Sequence, residues 1–396
     1  MEKRLHRVEL QVIGIGAAGN KQAIELVEKG ILQKDDILLI NSTIRDIPTA
    51  YQDIAFIYKT EGGAGKSTAA GTQLANIALE SQGLDQYIDT KLKQNTELVI
   101  ILFSMQGGTG AGGSKPIAGF VKDQIDLPVI LLATGGFMED PTECRNMIEV
   151  GQSLTSDYGI QMISNLKALK GKDYIKAQQI VNDDIAERIK AMMCSGIVDS
   201  EQNIDDTDLF NVLTVPEYSD ILYTDFPNLN SIDDFNSAVD TMIAKSLSFE
   251  SDTVLKTKID DKKLGKRAIF INLKNPKEKA FIDFSFEKLE EIYGVPYANY
   301  IHVQYEADQP SYMRVILTGL DMPMEEFKNI HKKYLELDAK NIKSHSSFFD
   351  DIKSLQGDAD DHFHDHLTTR GRRKRNVSGA KFVESNNGVK DDNGIY

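Results

Sequence analysis

Apolar runs alternate with amphipathic stretches along the first half of the chain. Six runs carry no charge: QVIGIG at 11–16, ILLIN at 37–41, IAFIY at 54–58, LVIILF at 98–103, VILLAT at 129–134 and IQMIS at 160–164. Runs of this length are the pattern of strands buried on both faces, and the helical periods between them predict a mostly parallel sheet covered on both sides. KDYIKAQQIVNDDIAERIKAMMCS at 172–195 then predicts about six turns of helix, long enough to link two domains. Beyond it, RAIFINL, YIHVQYEA and YMRVILTGL read as strands, and SFEKLEEIYGV as a helix. The last two strands flank the turn signal ADQPS, which predicts an antiparallel part in this second sheet.

The expected architecture is therefore α/β. A Rossmann-like first domain (1–172) with a parallel sheet leads into the central helix (173–196) and an acidic loop (197–209). A smaller α+β domain with a mixed sheet (210–322), a C-terminal helix (323–343) and a flexible tail (344–396) follow.

Composition narrows the function classes. The 396 residues carry 45 Lys and Arg against 60 Asp and Glu, a net charge of −15, so the globular part does not have the balance of a nucleic-acid binder. From Asn341 onward nine cations meet nine acids, and Arg370, Arg372, Arg373, Lys374 and Arg375 crowd into six positions. A basic run on an acidic body is commonly a solvated arm; its functional alternative is a tether for DNA or an acidic partner. The alternate histidines of DHFHDH at 361–366 could take a metal, but no structured scaffold is expected there to hold them. Two cysteines, Cys144 and Cys194, fit reduced thiols. No eighteen-residue apolar run predicts a membrane span, and MEKRLHRVEL lacks the pattern of a signal peptide, so a cytoplasmic location is expected.

The candidate chemistry lies in glycine loops. LVIILFSM runs straight into QGGTGAGG at 106–113, followed by Ser114 as a plausible N-cap and Pro116 near a first helical turn. Strand, glycines and helix N-terminus bring bare backbone N–H groups to a phosphate; the alternative is a flexible turn. At the N-terminus, Gly14, Gly16 and Gly19 form G-x-G-x-x-G between a strand and the helix KQAIELVEKG. This also fits a dinucleotide fold, but ILLI ends at Asn41, where such a fold wants an acid. A third loop, EGGAGKST at 61–68, imitates a P-loop of the deviant ParA-type ATPases, except that Glu61 stands where those have lysine. Its other reading is a cover over a terminal phosphate, with the amides of Gly62, Gly63, Ala64 and Gly65 and the cation of Lys66. Finally NIDDTD at 203–208 gathers carboxylates that either orient a water or merely cap a helix.

Taken in order, these segments resemble the tubulin/FtsZ superfamily of polymerising GTPases, over about residues 8 to 340. GIGAAGN (14–20), NSTIRD (41–46) and EGGAGKSTAAG (61–71) resemble its first three nucleotide loops, and QGGTGAG (106–112) resembles the tubulin signature. Gln106 departs from that signature, which opens on a small residue, and Lys115 is one residue extra before the proline. ATGGFMEDPTECR (133–145) resembles the ribose loop, SN at 164–165 the guanine-reading loop, IVNDDIAERI the start of the central helix, and NIDDTD the FtsZ catalytic loop.

The resemblance implies GTP and GDP as ligands, with Mg²⁺ held mainly through the phosphates. It assigns nucleotide contacts to Gly14, Gly16, Ala17, Ala18, Gly19, Asn20, Asn41, Gly63, Ala64, Gly65, Lys66, Gly107, Gly108, Thr109, Gly110, Ala111, Gly112, Glu139, Arg145, Asn165 and Asn182. Asparagine offers a donor and an acceptor in one plane, which suits the guanine edge. Asn203, Asp205 and Asp208 are implied to act on the nucleotide of the next subunit, which makes a head-to-tail filament the expected assembly. The basic tail resembles that of TubZ, the plasmid- and phage-partitioning branch, where it engages a DNA-bound adaptor protein. An FtsZ-like division protein and a ParA-type ATPase are the alternatives.

Overall fold

The six uncharged runs are strands: β1 (Leu10–Ile15), β2 (Ile37–Asn41), β3 (Ala55–Ile57), β4 (Leu98–Ser104), β5 (Val129–Gly135) and β6 (Gly159–Ser164). All pair in parallel, in the order β3-β2-β1-β4-β5-β6. Crossover helices α1 (Gly16–Glu28), α2 (Thr68–Ile77), α3 (Leu84–Lys91), α4 (Thr109–Gln124) and α5 (Pro141–Ser153) lie between them, and the short α6 (Asn165–Leu169) follows β6. The computed structural model describes residues 8–60, 62–154, 158–193, 204, 206–226, 229–249 and 265–357, with the backbone alone for 206 and 341–357.

Alternation along each strand feeds two cores. Val12, Leu39 and Leu102 face Ala23, Ile24 and Leu26 of α1, and the same core continues to Ile185 and Ile189 of the central helix α7 (Tyr174–Met193). Ile13, Ile40 and Phe103 face the other way, toward Ile117 and Val121 of α4. Burying an aliphatic side chain contributes about 1.5–3 kcal/mol, so this two-sided arrangement is the main support of the sheet.

The second half continues the same sheet through α8 (Asp206–Leu213), β7 (Glu217–Phe226), α9 (Ile232–Lys245), β8 (Lys266–Leu273), α10 (Glu287–Tyr293), β9 (Ala298–Tyr305), β10 (Ser311–Leu320) and α11 (Met324–Gly357). Here three expectations are corrected. First, the expected border between 172 and 210 does not separate two bodies: Met1–Lys340 forms one compact unit, and Asn341–Tyr396 a second. The reason is β7, which pairs β6 in parallel at Gly159↔Glu217 and Ile160↔Tyr218, and β10 in antiparallel fashion along its length. The rest of the β6 edge is taken by residues 247–249, through Ser164 N–H to Leu247 O (2.7 Å) and Phe249 N–H to Met162 O (2.9 Å). Second, β9 and β10 do not form a hairpin around ADQPS. β9 pairs β8 in parallel, while β10 lies on the other side of β8, between it and β7. The crossover through the short 3₁₀ turn Pro276–Phe281 and α10 returns β9 in the direction of β8, and the link to β10 then spans two strand spacings of about 4.8 Å each. Third, the last helix runs on to Gly357, because no glycine or proline interrupts 324–356.

β7 was not legible as a strand because it buries polar groups: Ser219, Asp220 and Thr224 are all covered. Ser219 donates to Ile160 O (3.4 Å) and Thr224 to Asp225 O (3.2 Å), while Asp220 is paired with Arg188 of α7, which is 0% exposed. Its guanidinium donates to Asp184 (2.7 Å), Asp220 (3.2 Å), Ser248 Oγ (2.8 Å) and Gln161 (3.4 Å), tying α7, β6, β7 and 247–249 together. Burial pushes the Asp184 carboxyl above the usual carboxylate range, and Arg188 opposes that shift.

Candidate functional site

The strand order reverses between β1 and β4, and the crevice beyond the C-terminal ends of such a pair is where open α/β sheets bind ligands. Two helices start there. α1 begins at Gly16, directly after β1, and α4 at Thr109, five residues before the expected N-cap Ser114. Ser114 is buried inside α4 and donates back to Ala111 O at 3.1 Å, while Pro116 lies within the helix. Neither helix has a side-chain cap. The first-turn N–H groups of Gly16, Ala17, Ala18 and Gly19, and of Thr109, Gly110 and Ala111, therefore lack intrahelical partners and carry the positive ends of two helix dipoles. The two N-termini abut: a Cβ on Gly16, at φ +73°, would meet Gly110 N at 3.0 Å.

The glycines also serve packing. A Cβ on Gly19 would sit 2.1 Å from Leu102 O, and one on Gly112 would sit 2.1 Å from Thr68 O of α2. Gly14 is confined by Asn20, whose Oδ1 would be 2.9 Å from a Cβ there. The Asn20 amide itself is spent on the Ile40 backbone, donating to O at 3.2 Å and accepting from N at 3.3 Å.

A cavity of about 530 Å³ opens beside the paired helix starts. It is lined by Ser42, Thr43 and Arg45 after β2, by Thr60 and residues 62–66, and by Gly108 and Thr109. Ser42 Oγ and Thr109 Oγ1 share a hydrogen bond of 2.9 Å across it. Gly63, Gly65 and Lys66 all have positive φ (65°, 54° and 60°), a conformation that turns successive N–H groups into an anion-binding nest. A larger cleft of about 640 Å³, rimmed by Lys167, Lys170, Lys172 and Lys245, shares none of these residues and lacks a glycine loop.

The N-terminus of α5 braces the loops. Asp140 caps it, accepting from Glu143 N at 2.9 Å. The Lys66 ammonium bonds Asp140 (2.8 Å) and Glu143 (3.1 Å), which holds it charged above its ordinary range. Glu143 also accepts from Gln106 Nε2 and Glu139 N–H, each at 3.2 Å. One turn on, the buried Asn146 donates to Lys66 O and Gln106 O, both at 2.8 Å. Glu143, Asn146, Ser42 and Arg45 are not among the residues expected from the sequence. Asp140-Pro141-x-Glu143, a cap, a first-turn proline and a third-position acid, is a helix start within the segment that resembles a ribose loop.

The remaining predicted residues divide. Asn41 is 2% exposed and donates to Asp46 at 3.2 Å. Glu139 accepts from the hydroxyl of Tyr174, the exposed first residue of α7. Asn165 opens α6 at the C-terminal end of β6. Arg145 turns to Glu149 (3.7 Å) and does not line the cavity. Asn182 is buried in α7. Lys21 bonds Gln178 and Lys29 bonds Asp183, so α1 and α7 run side by side in the same direction. Tyr174 therefore lies at the level of the helix starts and Asn182 about two turns deeper. Asn203, Asp205, Glu61, Cys194, the 361–366 histidines and the basic segment 370–375 lie outside the described residues. Asp208 is half-buried in the first turn of α8. The end of α8 meets the start of β6, where a Cβ on Gly159 would be 3.4 Å from Leu213 O, so α8 lies at the edge of the sheet opposite the cavity.

A parallel sheet with a phosphate-type cavity at its switch point, carried by a central helix into a mixed second half, defines the class: the chain has the tubulin/FtsZ fold. No family model matches it. In sequence, 172 residues are 28% identical to the cell division protein FtsZ of Mycoplasmopsis pulmonis (strain UAB CTIP); the match covers 43% of this chain and 43% of that relative. Among solved structures, the chain is similar to TubZ of Bacillus thuringiensis serovar israelensis in a GTPγS-form protofilament, with a TM-score of 0.72 and 15% identity over 88% of this chain and 96% of that one. It is also similar to Clostridium botulinum phage c-st TubZ (TM-score 0.62, 18% identity, 84% of this chain, 99% of that one). The GDP-bound CetZ1 monomer of Haloferax volcanii gives a TM-score of 0.63 at 18% identity, over 83% of this chain and 99% of that one. Among the described residues, no helix is long and apolar enough to cross a membrane.

Proposed function

We propose that the chain is a GTPase that assembles head to tail into filaments and hydrolyses GTP at the junction between copies. One observation carries this proposal: the acid-bearing helix α8 and the phosphate-type cavity occupy opposite edges of the sheet. With α7 spanning about 30 Å, Asp208 cannot reach the cavity of its own chain. A second copy stacked on the cavity can bring its own acids there.

In this proposal the amides of 16–19, 109–111 and 63–66 hold the phosphates, and Asn165 reads the base beside Tyr174. The hydroxyls of Ser42 and Thr109 and the phosphates themselves suit a hard cation, since Mg²⁺ binds through oxygen and commonly through its substrate's phosphates. Mg²⁺, when bound, neutralises charge on the β- and γ-phosphates. The neighbour's Asn203, Asp205 and Asp208 orient the water, and one of the two carboxylates takes its proton as the water oxygen bonds the γ-phosphorus and the bond from that phosphorus to the leaving GDP breaks. The basic segment 370–375 is assigned to a DNA-bound adaptor, making plasmid or phage segregation the cellular role. The FtsZ match supports a division protein as the second reading.

Phosphate release per molecule is expected to rise with protein concentration. Asp208→Ala is expected to lower it about a hundredfold while leaving GTP binding intact and prolonging filaments seen by light scattering. A per-molecule rate that stays constant from monomeric to concentrated protein sinks the shared site.

A further inference from the structure

Lys66 lines the cavity, yet its ammonium is already claimed by two acids of α5, Asp140 at 2.8 Å and Glu143 at 3.1 Å. It sits at φ +60°, a left-handed conformation that a lysine rarely adopts, and its carbonyl is anchored by the buried Asn146 at 2.8 Å. The backbone is thus held while the side chain, 55% exposed, can swing. The two acids do not depend on Lys66 alone. Asp140 accepts the Glu143 amide, Glu143 accepts from Gln106 and Glu139, and both lie at a helix N-terminus that favours negative charge. Removing the lysine from them is therefore inexpensive. A terminal phosphate entering the cavity carries more charge than either carboxylate and competes for the same ammonium.

We propose that Lys66 is an exchangeable cation, shared by Asp140 and Glu143 when the cavity is empty or holds a diphosphate, and transferred to the terminal phosphate when a triphosphate is bound. This rests on the nucleotide site proposed above and adds the means by which it tells GTP from GDP. Glu143 is then a positioning residue. Through Lys66, Gln106 and the Glu139 amide it holds three loops at once, and transfer of Lys66 loosens one of them while the other two stay in place.

The test is calorimetric titration of the full chain with GTPγS and with GDP, below the concentration at which it assembles. Lys66→Gln is expected to weaken GTPγS about tenfold more than GDP, and Lys66→Arg to keep most of the preference. The double variant Asp140→Asn/Glu143→Gln, which retains an N-cap, is expected to shift the preference about threefold toward GTPγS. Equal weakening of both ligands by Lys66→Gln, or a shift toward GDP in the double variant, overturns the exchange. A wild-type chain that binds neither ligand overturns the underlying site as well. Unchanged thermal melting of Lys66→Gln separates these outcomes from loss of fold.

Discussion

Gly112→Ala is expected to destabilise the protein by about 3 kcal/mol, whereas Gly119→Ala, two turns along the same helix, stabilises it by about 0.5–1 kcal/mol. At Gly112 the added methyl would lie 2.1 Å from Thr68 O, 2.6 Å from Thr72 N and 2.8 Å from Gly71 C, all backbone. No rotamer change relieves such a contact; α2 and α4 have to separate. Gly71 meets the same limit from the other side, 2.1 Å from Gly108 O. At Gly119 the nearest atoms are the Tyr158 hydroxyl at 3.5 Å and an Asp123 carboxylate oxygen at 3.9 Å. There alanine fits, and the chain loses less backbone freedom on folding. Denaturant unfolding of both variants without nucleotide measures the difference. If both lose stability equally, the signature glycines are not there to let the helices touch.

Arg188→Met is expected to cost about 3–5 kcal/mol at pH 7.5, because it leaves Asp184 and Asp220 buried without their cation. The deficit should shrink in acid. Burial already raises the Asp184 carboxyl, and loss of Arg188 removes the group that opposes the shift. An acid whose pKa is raised by folding favours the folded state at pH below its ordinary value, and that benefit disappears as the pH climbs through the raised one. The variant should therefore recover about 1–2 kcal/mol between pH 7.5 and 5, read from denaturant midpoints at each pH. A deficit independent of pH would mean that packing alone, not stranded carboxylates, sets the loss.

The first half of the fold was legible because its strands are buried on both faces and need no alternation to be found. β7 was not, because Ser219 and Asp220 break its apolar pattern, and the Arg188 that pairs with Asp220 is distant in sequence. The antiparallel part of the second sheet was legible too, but not which strands form it: ADQPS marks a turn, and a turn signal does not say which strands lie beside each other. In the site, the glycine loops could be placed at helix starts from order and spacing. Glu143 and Asn146 could not be singled out, since what they do depends on three loops converging on one helix end. Asn182 follows from the likeness of IVNDDIAERI to the start of the family's central helix, and only the flank of α1 against α7 shows how deep it sits.

The sheet is thinnest where β6 meets β7, a ladder of two residue pairs completed by 247–249. In a head-to-tail assembly of the kind proposed, a pull on the second half would load that narrow stitch together with α7, which joins the two halves. Mechanical load would then part the molecule at Gly159 and Ile160 before it frayed any longer ladder, and Arg188, riveted across the same gap, sets how much force the joint bears.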